Sequence, residues 1–73
     1  MLLDFSVFSA RLRTLRKAKK ATQEDLAHLL GVTTNHYQKI EYGQINLSVT
    51  ALDALADYFG VSADYLLGRS EDQ

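Results

Sequence analysis

Cysteine and proline are both absent from this chain of 73 residues. Without cysteine there are no disulfide staples, thiolate zinc sites or cysteine nucleophiles, and the composition suits a reducing compartment. Without proline, punctuation falls to the 4 glycines, and Gly31, Gly43, Gly60 and Gly68 each follow an amphipathic segment. Long apolar runs are also missing: nothing approaches the ~20 residues of a membrane span. The apolar start, MLLDFSVF, is broken by Asp4 and Ser6, and no basic stretch precedes a run of signal-peptide length. The expectation is a soluble, unprocessed, cytoplasmic protein with no membrane partner.

Catalytic constellations are missing as well. His28 and His36 are the 2 histidines. Glu24 and His28 share a helical spacing, but two ligands without a third do not hold zinc. The serines have no His and Asp around them to form a triad, and no glycine-rich phosphate cradle exists. No enzyme activity, metal or cofactor is expected.

What the chain does have is a charge asymmetry beneath a formal net charge of −1. Residues 11–40 carry Arg11, Arg13, Arg16, Lys17, Lys19, Lys20 and Lys39 against Glu24 and Asp25, a net of +5. Residues 41–73 carry Arg69 against Glu41, Asp53, Asp57, Asp64, Glu71 and Asp72, a net of −5. A molecule polarised in this way can turn one end to an anionic surface and keep the other in water.

The periodicity is helical throughout. Phe5, Phe8, Leu12 and Leu15 form one stripe of a first helix. Thr22 caps a second, with Glu24 and Asp25 in its first turn and Gly31 at its end. Thr33 caps a third that runs to about Tyr42 before Gly43. Ser48 caps a fourth carrying Leu52, Leu55, Ala56 and Phe59, and Ser62 opens a short fifth ended by Gly68. Strand and hairpin signals are absent. The fold class expected is all-α: a compact bundle of five short helices, one domain over residues 1–68, followed by a short acidic tail over residues 69–73.

Helices two and three are joined only by GVT, so they should cross steeply, with Ala27 allowing close approach. On a wheel of roughly 100° per residue from Thr34, Gln38, Asn35 and Lys39 fall at about 40°, 100° and 140°, whereas Ile40 and Tyr37 fall at about 240° and 300°. One flank is polar from its first turn, and the opposite flank is apolar. A polar first turn suits a helix that meets a polar partner.

The run RLRTLRKAKKATQEDLAHLLGVTTNHYQKIEYGQINLSVTALDALADYFGVSADYLLG resembles the Cro and lambda-repressor-like helix-turn-helix family, also called the xenobiotic-response-element family. TQEDLA, LLGVT, KIEYG and LDALADYFGVSADYLLG match in register. The resemblance implies a transcriptional regulator that places its third helix in the major groove of double-stranded DNA, usually as a homodimer on a two-fold operator with recognition helices about 34 Å apart. It implies a phosphate clamp at Gln23, base reading at Thr34 and Asn35, and further contacts from Gln38 and Lys39. Asn and Gln suit adenine, Thr the thymine methyl, and Lys guanine or phosphate. Thr33 would be cap first and phosphate contact second, and Asn46 a loop contact to phosphate. Arg16 and Glu41 match an internal salt bridge between helices one and three, and the wheel independently places Arg16 about 60° from the apolar stripe.

Some positions depart from the family pattern. Leu47 stands where proline is common, Tyr42 where a polar residue is common, and the recognition helix has no arginine. Apolar candidates for a dimer contact are DYLLG and the pair Leu2 and Leu3. The net acidic charge and the missing arginine motivate an alternative from another class, a protein-interaction module such as an antitoxin or co-regulator. It would grip a protein partner through the acidic half or MLLDF.

Overall fold

The computed structural model describes residues 5–73, and among them regular structure is helical only. Five helices follow one another: α1 (Phe5–Ala18), α2 (Gln23–Leu30), α3 (Thr34–Glu41), α4 (Val49–Phe59) and α5 (Ala63–Leu66). No helix among the described residues is long and apolar enough to cross a membrane. Leu2 and Leu3, offered above as dimer candidates, lie outside the described residues.

Hydroxyl caps set the starts of four helices. Thr22 accepts from the Asp25 amide at 3.0 Å, and Asp25 accepts from the Thr22 amide at 2.9 Å, a reciprocal box. The Thr22 hydrogen bonds hold the Asp25 carboxyl below the usual aspartate range. Thr33, Ser48 and Ser62 each accept from the amide three residues on. These bonds satisfy donors that the first turn would otherwise leave without partners.

Helix ends are less uniform. Gly31 takes a left-handed φ of 69° with open space where a side chain would project. Gly43 takes a φ of 71°, and a Cβ there would lie 2.8 Å from the Phe5 Cβ, so its missing side chain is also a packing requirement against α1. α1 ends without glycine. Lys20 adopts a φ of 59°, while the Lys20 and Ala21 amides donate to the Lys17 and Arg16 carbonyls, both at 3.0 Å. This is a left-handed helix stop built on a lysine, a conformation that costs an L-residue about 1 to 2 kcal/mol.

The core joins all five helices through Phe8, Leu12, Leu26, Tyr37, Leu55 and Leu66, each fully buried, with Ala27 and Ile40 nearly so. Ala27 on α2 is buried, and α2 packs against α3. The predicted stripes thus face inward, with Phe5, Leu15, Leu52 and Phe59 packed at the margin. α3 ends at Glu41, one residue before the expected boundary, and Tyr42 becomes its C-cap.

Residues 69–73 lack helix but are tied back. Arg11 donates to the Tyr65 and Ser70 carbonyls at 2.6 and 2.7 Å, and its guanidinium lies 4.1 Å from the centre of the Tyr65 ring. The Ser62 amide donates to the Gln73 carbonyl at 2.7 Å. Of the DYLLG segment, Leu66 is committed to the core, which leaves half-buried Tyr65 and Leu67 as its outward part.

Candidate nucleic-acid interface

The register of α3 creates two flanks. Tyr37, Ile40 and Glu41 point inward at 0%, 3% and 0% exposure. Asn35, His36 and Lys39 are exposed, and Thr34 and Gln38 are half-buried. Thr33 caps the helix and is exposed, so its hydroxyl is already an acceptor for the His36 amide at 3.1 Å.

Glu41 is the node beneath this surface. Arg16 donates from Nε to Oε1 at 2.6 Å, and more distantly from its other arm to Oε2 at 3.3 Å. The Tyr37 hydroxyl donates to Oε1 at 3.0 Å and the Gln23 amide to Oε2 at 2.8 Å. The Ser9 hydroxyl donates to the Glu41 backbone carbonyl. One carboxylate therefore joins α1, α2 and α3. Burial pushes the Glu41 carboxyl up, but the hydrogen bonds from Arg16, Gln23 and Tyr37 outweigh it and leave the group below the usual glutamate range. Burial also pushes the Tyr37 phenol up, so it stays a donor at any physiological pH.

Gln23 carries this node to the surface. Because its amide nitrogen faces the carboxylate, its carbonyl oxygen faces outward, and there it accepts from the Gln38 amide at 3.0 Å. Gln38 is consequently not the free outward side chain that the helical wheel suggests. It is held by α2, with its own carbonyl oxygen turned away from Gln23. Spacing along the chain gave no signal of this pairing, which spans 15 positions. The Tyr37–Glu41 bond, in contrast, is an i, i+4 contact that the helix itself provides.

Asn46 is exposed in the loop after α3 and lines a cleft of about 320 Å³ together with His36, Ser48 and Thr50. Leu30, Val32 and Ile40 are among its apolar lining residues.

The basic half divides into committed and open cations. Arg16 is paired with Glu41, Arg11 with Glu71 and the Tyr65 and Ser70 carbonyls, and Lys19 donates to the Tyr58 carbonyl at 2.9 Å. Arg13, Lys17, Lys20 and Lys39 are exposed and have no carboxylate partner among the described residues. Sequence reasoning counted these cations together because pairing depends on tertiary distance. No group of three or more possible metal ligands occurs among the described residues.

Comparison with known proteins agrees with this geometry. The HTH-type transcriptional regulator YobD of Bacillus subtilis is 38% identical over 66 residues, covering 90% of this chain and 59% of YobD. The chain spans about three fifths of the length of the first curated relatives that it matches. The P22 c2 repressor, solved with a synthetic operator, superposes with a TM-score of 0.78 at 28% identity, covering 89% of this chain and 98% of the repressor. The restriction-modification controller protein C.AhdI of Aeromonas hydrophila superposes at 0.75 with 35% identity, covering 89% and 98%. With the helix-turn-helix family model matching residues 12–66, and α2 and α3 forming the motif itself, the chain belongs to the helix-turn-helix family.

Proposed function

We propose that this protein is a sequence-specific DNA-binding transcriptional regulator that inserts α3 into the major groove, as a homodimer on a two-fold operator. The observation that carries the reading is the two-flanked α3: Asn35 and Lys39 stand exposed above a fully buried Tyr37 and Glu41. The superposition on a repressor solved with a synthetic operator supports the DNA-binding reading. Such a regulator acts where DNA is, in the cytoplasm at the nucleoid.

On this reading Asn35 and Gln38 pair with adenine edges, Thr34 meets a thymine methyl and Lys39 reaches guanine or phosphate. Gln38 is pre-oriented, since its carbonyl faces away from Gln23 and one amide hydrogen remains for a base. Thr33 and Asn46 touch the backbone from either side of α3. Gln23 has its side chain turned to Glu41 and Gln38. Its phosphate contact therefore falls to backbone N–H groups at the start of α2, where the helix dipole favours an anion.

The test is a titration of labelled duplexes selected from random sequence, at several salt concentrations. The logarithm of affinity should fall linearly with the logarithm of salt, with a slope of about −0.9 per phosphate neutralised. Asn35→Ala should cost about 1 to 3 kcal/mol on the preferred duplex and relax the preference at one base pair. Lys39→Ala should weaken binding. Salt-independent or absent binding by the unaltered chain removes the proposal. Sedimentation showing monomers alone, with and without operator, removes the homodimer.

A further inference from the structure

We propose that Arg13, held against the ring of Tyr42, is a phosphate-binding arm beside the reading surface, supplying from α1 the guanidinium that α3 lacks. This rests on the DNA-binding reading above and assigns a contact outside the helix-turn-helix itself. α3 contains no arginine, and its one basic residue is Lys39. The Arg13 guanidinium carbon lies 5.8 Å from the centre of the Tyr42 ring, within cation–π range. Tyr42 caps α3, is 49% exposed, and brings its hydroxyl within 3.5 Å of the Gln23 amide nitrogen. The ring therefore bridges the basic flank of α1 and the start of α2, at the C-terminal end of α3.

Arg13 is also chemically available. Its hydrogen bond among the described residues runs from Nε to the Ser9 carbonyl at 3.4 Å, which leaves both terminal nitrogens open. Arg11 and Arg16 are engaged by carboxylates, at 3.2 and 2.6 Å. One turn beyond Arg13 stands Lys17, exposed, and the small residues Ala10 and Thr14 leave a shallow groove of about 230 Å³ beside the two cations. A phosphodiester needs donors that can approach without a bulky neighbour, and the guanidinium fork matches its oxygens. Contact with an aromatic face restricts the arm before binding and so reduces the ordering cost on association. An arm on α1 lies beside the inserted helix rather than on it, which places it over the sugar-phosphate ridge instead of the base edges.

The test uses the full chain, a preferred duplex and a scrambled duplex, titrated across salt. Arg13→Ala should weaken binding to both duplexes by the same factor, about tenfold for one charged hydrogen-bonding contact. It should reduce the salt slope by about 0.9. Tyr42→Phe should keep parental binding, Tyr42→Leu should lose part of it, and Arg13→Ala with Tyr42→Leu should be no weaker than Arg13→Ala alone. Thermal melting of Arg13→Ala should match the parent, because the side chain is exposed. Parental affinity and slope in Arg13→Ala overturn the arm while leaving the DNA-binding reading intact. Loss confined to one base pair overturns it in favour of base reading. Loss that sedimentation traces to a dissociated oligomer overturns it in favour of an acidic protein surface, such as residues 41–73 of a second copy. Absence of salt-dependent binding by the unaltered chain removes the DNA-binding reading, and the arm with it.

Discussion

Glu41→Ala tests the node on which three helices converge. The substitution removes the acceptor of four side-chain hydrogen bonds, two from Arg16 and one each from Gln23 and Tyr37. Arg16 has a side chain only 13% exposed and would lose its anion. Breaking a buried ion pair from one side costs about 3 to 5 kcal/mol, and a buried hydroxyl left without an acceptor about 1 to 3 more. Arg16 retains the Ala21 carbonyl at 3.2 Å, which moderates the loss. The expected cost is about 4 kcal/mol, since a partly solvated guanidinium recovers some hydration. A domain of this length has a total stability of roughly 4 to 11 kcal/mol, so the variant should melt about 15 to 30 °C lower. Urea unfolding followed by far-ultraviolet circular dichroism at neutral pH measures it by linear extrapolation. Replacing both partners, Arg16→Met with Glu41→Met, should cost less than Glu41→Met alone, because no charge is then stranded. A loss below about 1 kcal/mol in Glu41→Ala, or strict additivity in the double variant, would refute the reasoning.

Three further outcomes follow from the same geometry. The folded Glu41 carboxyl sits below its ordinary value, so its stabilisation is complete above the unfolded value of about 4.3 and is lost as pH falls through the folded value. Acid unfolding monitored by circular dichroism should therefore be less steep for Glu41→Gln than for the parent. Gly43→Ala should cost about 1 to 3 kcal/mol more than Gly31→Ala in denaturant titrations, because both strain a left-handed residue but only the first collides with Phe5. Lys20→Gly should raise stability by about 0.5 to 1 kcal/mol, since it relieves a positive φ. A drop in melting temperature for Lys20→Gly would contradict that account of the α1 terminus.

Local chemistry made most of the frame legible. Thr22, Thr33, Ser48 and Ser62 announce helix starts because a hydroxyl at that position satisfies an amide three residues on, a contact that needs no distant partner. The apolar rhythm of Tyr37 and Ile40 was sufficient to orient α3, since 3.6 residues per turn fixes the relative direction of neighbouring side chains. The end of α1 was less legible, because Lys20 occupies a conformation that composition associates with glycine. The engagement of Gln23 with Gln38, of Lys19 with Tyr58 and of Arg13 with Tyr42 was not legible at all. Each joins residues far apart in the chain, and no periodicity within one helix encodes their separation. The Arg16–Glu41 salt bridge was legible through the family resemblance, whereas the contacts of Gln23, Lys19 and Arg13 were not.

The division between free and linked side chains on α3 bears on how such a chain diversifies. Asn35, His36 and Lys39 project outward, so descendants can exchange them one at a time without disturbing the scaffold. Gln38 and Gln23 complete each other's polar contacts above a charged anchor, so a change at one leaves the other mismatched. On the DNA-binding reading proposed above, drift in target preference should proceed by single steps at exposed Asn35 and Lys39 and by paired replacement at Gln38 and Gln23.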